Sequence, residues 1–251
     1  MITIKSSREI ELMKTAGDIL ARTRKHLIPY IKPGVTTHEL DMLAHNFIVS
    51  QDATPSFKGY QGFSGSICTS VNEVVIHGIP SKKKVLKDGD IISIDIGVQY
   101  KGYHADSAWT FPVGNVSDEV KKLLEVTEAS LWAGLEAIKP GASVNDISKA
   151  VEATIRPHGY GIVEEFTGHG IGQSLHEDPA IPNYGHEPLS PILKPGMTFC
   201  VEPMVNIGTK RVRILKDGWT TITQDKTYSA HFEHTVVVTE TGYEVISKAK
   251  E

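Results

Sequence analysis

The chain has 251 residues, a formal net charge of −4, 40% hydrophobic residues and 22% charged residues. This length supports one large domain with a full core, and the charge gives no basic stripe of the kind that nucleic-acid binding needs. No apolar run approaches the roughly 20 residues of a membrane helix, and no secretory h-region follows Met1. Cys68 and Cys200 are too few for a disulfide framework, so we expect a cytoplasmic protein.

Helical and strand-like segments follow one another in an α+β order. Apolar residues at helical spacing predict helices around residues 10–20, 36–48, 120–131 and 143–155. Runs rich in β-branched residues predict strands at 67–76, 91–98, 104–112, 198–206, 211–215, 219–223 and 231–238.

The chain contains an internal repeat. Residues 31–34, Ile-Lys-Pro-Gly, recur at 138–141, an offset of 107 residues (138 minus 31). Each copy leads into a capping-box pattern, and the strand-like run 91–95 aligns with 198–202 at the same offset. We therefore predict one catalytic domain, 1–251, built from two related halves, 1–107 and 108–251.

The repeat places an acidic residue inside each aligned apolar run. Asp95 belongs to the first run and Glu202 to the second, and an uncompensated carboxylate in such a place is costly. If Lys101-Gly102 form a two-residue hairpin turn, Asp106 lies opposite Gly97 and projects on the same face as Asp95. Glu233 lies in another strand-like run.

Four carboxylates that converge repel one another, and two divalent cations would offset that repulsion. A histidine is a plausible nitrogen ligand for such a centre. The glycines around His169 allow close backbone approach, but spacing alone does not favour His169 over His176, His231 or His234.

Six stretches, taken together in their order and spacing, resemble type I methionine aminopeptidases, of the short bacterial type and with the pita-bread fold. These stretches are 70–80, 88–95, 168–172, 175–179, 198–203 and 230–235. The resemblance implies two pseudo-symmetric halves around a curved antiparallel sheet. It also implies removal of N-terminal methionine from nascent proteins and peptides when the second residue is small.

The same resemblance implies a role for each site residue. Asp95 would bind one cation, His169 and Glu202 the other, and Asp106 and Glu233 would bridge the two. Glu202 would also relay a proton from the attacking water. His77 and His176 would contact the peptide rather than the metal, with His176 polarising the scissile carbonyl. The two cations could be Mn, Fe, Co, Ni or Zn.

Methionine selectivity requires an apolar pocket. Its candidate walls are aromatic residues and small or aliphatic ones close to the predicted site: Phe57, Tyr60, Phe63, Cys68, Leu175 and Trp219. In several bacterial enzymes that this chain resembles, Phe occupies the position of Leu175.

Two alternative functions use the same fold. One is a proline-specific aminopeptidase or dipeptidase, which carries a large additional N-terminal domain. The other is a non-enzymatic binding module, which loses metal ligands. The expected partners are peptides that begin with methionine, and we expect a monomer with at most transient ribosome contact.

Overall fold

The structure, a computed structural model, describes residues 1–185 and 189–250. Its α-helices are α1 (Ser7–Leu27), α2 (Thr37–Ser50), α3 (Asp118–Glu136) and α4 (Val144–Ile155). The strands of the first part of the chain are β1 (Thr54–Pro55), β2 (Cys68–Val71), β3 (Val74–Ile76), β4 (Ile91–Tyr100) and β5 (Tyr103–Pro112). Those that follow α4 are β6 (Gly161–Ile162), β7 (Gly168–Gly170), β8 (Glu177–Ile181), β9 (Thr198–Val201), β10 (Met204–Asn206), β11 (Val212–Ile214), β12 (Thr221–Thr223), β13 (Ser229–His231), β14 (His234–Val238) and β15 (Tyr243–Val245).

The strand pairs in the described residues are antiparallel and form four sheets. Strand β4 pairs with β1, β2 and β5, and a five-stranded sheet runs in the order β15-β14-β9-β7-β8. Two three-stranded sheets, β13-β10-β6 and β11-β12-β3, complete the set. Helix α1 packs on β4 and β5, while α3 packs on α4 and on the strands of the second half. The helices thus lie outside the strands that carry the predicted site.

Both capping boxes predicted from the sequence are confirmed. The Thr36 backbone N–H donates to the Glu39 carboxylate over 2.7 Å, and the Ser143 N–H donates to Asp146 over 2.7 Å. Such a box satisfies N–H groups that have no partner within the helix. It therefore begins α2 and α4 at equivalent points of the repeat.

The 107-residue offset recurs in backbone pairing. An isolated bridge joins Thr36 to Val85, and another joins Ser143 to Ile192. Strand β1 pairs with β4 through Thr54 and Gln99, and β6 pairs with β10 at the residues 107 positions later, 161 and 206. The two segments therefore share tertiary pairing as well as sequence, and the exact limits of the halves stay a prediction.

Three predicted strands are broken where the prediction had them continuous. The run 198–206 divides into β9 and β10 at Pro203, which has no N–H for the ladder. The run 67–76 divides at Asn72, which has a positive φ of 56° in the left-handed region. The run 231–238 divides before β14 because the Glu233 N–H donates to Ala108 O, in β5.

Five short strands were absent from the sequence prediction: β1, β6, β7, β8 and β15. They have two to five residues each, which is too short for a periodic pattern to stand out. Among the described residues, no helix combines the length and the apolar character needed to cross a membrane.

Candidate metal centre and substrate cavity

The predicted β4–β5 hairpin is confirmed. Gly97 pairs with Asp106, and Tyr100 pairs with Tyr103 across the turn at Lys101-Gly102. Both turn residues have positive φ, 47° and 86°, as a two-residue turn that matches the twist of the strands requires. Asp95 therefore shares a strand face with the residue opposite Asp106.

A second backbone seam brings Glu233 to this hairpin. The Glu233 N–H donates to Ala108 O over 2.9 Å, and Ser107 Oγ donates to Glu233 O over 2.6 Å. Thr235 Oγ1 accepts from the Asp106 N–H and donates to Asp106 O, over 2.9 and 2.7 Å. These bonds join residues 125 (233 minus 108) to 129 positions apart along the chain and place the two carboxylates together.

Glu202 and His169 come from neighbouring strands. Strand β7 lies between β8 and β9, where a Cβ on Gly168 would meet Cys200 O at 2.2 Å and a Cβ on Gly170 would meet Asp178 O at 2.1 Å. The close backbone approach expected for these glycines is therefore present. His169 Nδ1 lies 2.9 Å from Gly170 O, and its Nε2 lies 3.6 Å from Glu202 Oε1.

Asp95, Asp106, His169, Glu202 and Glu233 are called the donor cluster below. Desolvation raises the pKa of all four carboxyls. Repulsion from neighbouring carboxylates adds to the effect at Asp106, Glu202 and Glu233. Burial lowers the pKa of His169 to about 3, which keeps its ring neutral at pH 7.

The donor cluster suits divalent cations. Buried oxygens of Asp95, Asp106 and Glu233 have no hydrogen-bond partner among the described residues, and buried polar atoms are normally paired. Ligand atoms of Asp95, Asp106 and Glu233 lie within 4.8 Å of one another. Carboxylate oxygens with an imidazole nitrogen form a donor set that first-row divalent metals accept. Cations would therefore compensate both the repulsion and the unpaired oxygens.

Cys68 and Cys200 are free and buried. Although Cys200 lies near His169 and Glu233, burial raises the pKa of its thiol well above its usual value, and nearby carboxylates add to this. A neutral thiol is a weak ligand. Cys200 therefore occupies this position as a small buried side chain, with its Sγ 3.4 Å from Thr235 Oγ1.

One cavity of about 500 Å³ joins the predicted residues. Its walls include the whole donor cluster, His77, His176 and all six predicted pocket residues: Phe57, Tyr60, Phe63, Cys68, Leu175 and Trp219. Phe63 and Trp219 meet edge to face, with ring centroids 5.1 Å apart. This is an apolar wall next to a polar floor, which is the usual form of a small-ligand site.

The two predicted substrate histidines lie in the same cavity, on different walls. The His176 ring lies 4.3 Å from that of His169. His77 contacts Phe166 and Trp219 edge to face, and it has a positive φ of 58°. A histidine held in the left-handed region is uncommon and marks positions under local constraint.

Other cavity residues were not identified from the sequence. They are Gln61, Ile76, Glu165, Phe166 and Thr167. The segment 165–167 directly precedes the Gly-His-Gly motif, so proximity to that motif was an available signal. His231 was considered only as one histidine among several, and it lies with its Nε2 3.3 Å from Glu202 Oε2.

Comparison with known proteins agrees with this geometry. A family model described as metallopeptidase family M24 matches residues 11–240. A protein named methionine aminopeptidase 1, from Bacillus subtilis strain 168, is 54% identical over 99% of this chain and 100% of the relative. A crystal structure of methionine aminopeptidase from Rickettsia prowazekii has a TM-score of 0.96 at 43% identity and covers 98% of this chain and 100% of that chain. Prolidase from Pyrococcus furiosus has a TM-score of 0.81 at 25% identity, and the match covers 99% of this chain but 66% of the prolidase.

Proposed function

The chain belongs to metallopeptidase family M24, among its type I methionine aminopeptidases with the pita-bread fold, and we propose that its donor cluster holds two divalent cations. The enzyme removes N-terminal methionine by hydrolysis. The observation that supports the metal centre is the set of buried carboxylate oxygens that have no hydrogen-bond partner within residues 1–185 and 189–250. Such oxygens are stable in a folded protein when cations neutralise them.

Within the cluster, Asp95 would hold one cation and His169 with Glu202 the other, and Asp106 and Glu233 would contribute to holding both. Mn, Fe, Co, Ni and Zn all suit these oxygen and nitrogen donors. When bound, the cations supply Lewis acidity and lower the pKa of an attacking water. His169 is oriented for this by Gly170 O, which engages Nδ1 and leaves Nε2 directed at the cluster.

Glu202 accepts the proton from the attacking water and passes it to the departing amine. Its carboxylate lines the cavity together with the other donors, and burial with repulsion from Asp95 raises the pKa of the carboxyl. His176 donates a hydrogen bond to the scissile carbonyl, and His77 contacts the peptide beyond the cleaved bond.

The apolar wall of the cavity receives the methionine side chain. A thioether packs favourably against aromatic rings, and Phe57, Phe63 and Trp219 supply them. Substrates are peptides with N-terminal methionine and a small second residue. The expected setting is a monomer in the cytoplasm, in keeping with two free cysteines, with at most transient ribosome contact.

The experiment compares a Met-Ala-Ser peptide with an Xaa-Pro peptide before and after removal of metal. We expect cleavage of Met-Ala-Ser, its loss after exhaustive chelation, and its return on adding Mn²⁺, Fe²⁺ or Co²⁺. Metal analysis of the reactivated enzyme should give two cations per chain. Full activity after complete chelation, or saturation at one cation, would contradict the two-metal centre. A preference for the Xaa-Pro peptide would indicate the proline-specific alternative, and binding without cleavage would indicate a binding module.

A further inference from the structure

His231 is held by the same hydrogen-bond pattern as Asp106. The Asp106 N–H donates to Thr235 Oγ1 over 2.9 Å, and that hydroxyl donates back to Asp106 O over 2.7 Å. The His231 N–H donates to Thr110 Oγ1 over 2.9 Å, and that hydroxyl donates back to His231 O over 2.8 Å. The two threonine hydroxyls lie in the seam between β5 and residues 231–235, one contributed from each side of it.

The repeat explains why these two environments match. Asp106 pairs with Gly97 in the first half. The residue 107 positions after Gly97 is Met204, and Met204 pairs with His231 in the second half. His231 therefore occupies, in the second half, the place that Asp106 occupies in the first. Asp95 and Glu202 are equivalent through the 107-residue offset itself, so three of these four positions already belong to the donor cluster.

The His231 side chain is directed at the cluster. The residue is 2% exposed, and its Nε2 is buried with no hydrogen-bond partner among the described residues. That atom lies 3.3 Å from Glu202 Oε2, whereas His169 Nε2 lies 3.6 Å from Glu202 Oε1. The carboxylate of Glu202 thus lies between two imidazoles, one facing each oxygen.

These separations are those of atoms that share a cation. Ligand atoms about 2.1 Å from one metal lie roughly 3 to 3.5 Å apart in tetrahedral or octahedral geometry. Ligand atoms of Glu202, His231 and Glu233 lie within 4.8 Å of one another. An unpaired buried nitrogen in such a group requires a partner, and a divalent cation would supply one.

We propose that His231 Nε2 is a further nitrogen ligand of the metal centre, binding together with Glu202 and Glu233. The inference rests on the metal centre proposed above and adds a second imidazole to it. His231 is then a metal ligand of this chain, in the position that the repeat assigns to the bridging carboxylate of the other half.

The test is the ¹H NMR spectrum of the Co²⁺-loaded enzyme, because a histidine bound to Co²⁺ gives a strongly shifted, exchangeable ring N–H signal. Wild type should show two such signals, from His169 and His231. His231→Gln should remove one and keep the other. Calorimetric titration of the chelated His231→Gln protein should show at least about a tenfold weaker Kd for one cation, as expected when a ligand or its support is lost.

The matched control is His234→Gln. His234 is also buried, but its Nδ1 lies 2.7 Å from Ser247 Oγ and its ring contacts Trp109 and Trp132. This variant should keep both shifted signals and the wild-type Kd values.

The outcomes separate this inference from the metal centre itself. A wild-type spectrum with only one shifted signal, which His169→Ala removes, would overturn the role of His231 and leave the metal centre intact. This measurement does not require a His231 variant that folds. An unchanged Kd and spectrum in His231→Gln would also overturn the role of His231 as a ligand. Glutamine can still donate a hydrogen bond to Glu202, so this result would show that His231 only supports Glu202. Failure of the wild type to bind cations at all would overturn the centre and the inference together.

Discussion

The Tyr60 hydroxyl lies 2.9 Å from His176 Nδ1, and the two rings are 5.4 Å apart. When the hydroxyl donates to Nδ1, the ring proton is on Nε2, the nitrogen left free for a substrate carbonyl. Tyr60 therefore lines the cavity and also orients His176.

We expect Tyr60→Phe to lower kcat about tenfold and to leave KM nearly unchanged, because a lost neutral hydrogen bond costs about 0.5–1.5 kcal/mol. Steady-state kinetics on Met-Ala-Ser would measure this. Tyr30→Phe, at a partly exposed position outside the cavity, is the control and should match wild type. A tenfold rise in KM at constant kcat would instead assign Tyr60 to substrate binding alone.

Thr235 joins β14 to β5 at the donor cluster. Thr235→Val keeps the shape but removes both bonds to Asp106 and leaves a buried N–H unpaired. We expect the free energy of unfolding to fall by about 1–3 kcal/mol, together with weaker cation binding because Asp106 is less well positioned. Urea denaturation and calorimetry would measure the two effects. Thr241→Val, at an exposed position, should change neither; equal effects at both positions would argue against the role of the seam.

Glu202→Gln removes the proposed proton carrier without changing its size. We expect kcat to fall by about 10²- to 10⁴-fold, the range for loss of a general base. The metal-free variant should remain folded by circular dichroism, because the substitution removes a desolvated carboxyl whose pKa is raised. Glu165→Gln changes an exposed carboxylate that also lines the cavity and should keep near wild-type turnover. Wild-type turnover in Glu202→Gln would exclude the proton-relay role.

Lys5 forms a mostly buried ion pair with Glu177, in which Lys5 Nζ lies 2.5 Å from Glu177 Oε2. Glu177 directly follows His176, and it also accepts from the Ser174 N–H, so the pair anchors the segment that carries His176. We expect Lys5→Met to lower the free energy of unfolding by about 3 kcal/mol, since one buried charge loses its partner. The peptidase activity of Lys5→Met should also fall, because the segment that carries His176 loses this anchor.

Lys14→Met is the comparison for that variant. Lys14 is more exposed, and it pairs with Glu11 and Glu244 near the surface. Its loss should cost less than about 1 kcal/mol. Chemical denaturation of both variants would decide, and equal costs would show that burial does not distinguish the two pairs.

Several features were predictable because they depend on local or periodic patterns. The helices follow apolar spacing, and their first residues follow capping boxes such as Thr36 with Glu39. The two-residue turn at Lys101-Gly102 sets which residues of the two strands pair, so Asp106 could be placed opposite Gly97. The repeat identified Asp95 and Glu202 as equivalent positions. All of these relations lie within one element or between two copies of one pattern.

Other features depend on contacts between distant parts of the chain. Glu233 reaches Asp106 through a seam of backbone bonds that no turn specifies, and this seam also interrupts the strand predicted at 231–238. Short strands such as β7 carry too few residues to show a period, although β7 positions His169.

The amino-acid sequence by itself determined which residues are candidates for the chemistry and how the repeated segments correspond. Only the tertiary structure decided which histidines face the carboxylates, because eleven histidines are present and spacing does not rank them. His169 and His231 each direct Nε2 at a Glu202 oxygen, at 3.6 and 3.3 Å, whereas the His234 ring is paired with Ser247. The physical reason is that a side chain's partners are set by the folding of both halves onto one seam, and residues more than 120 positions apart meet there.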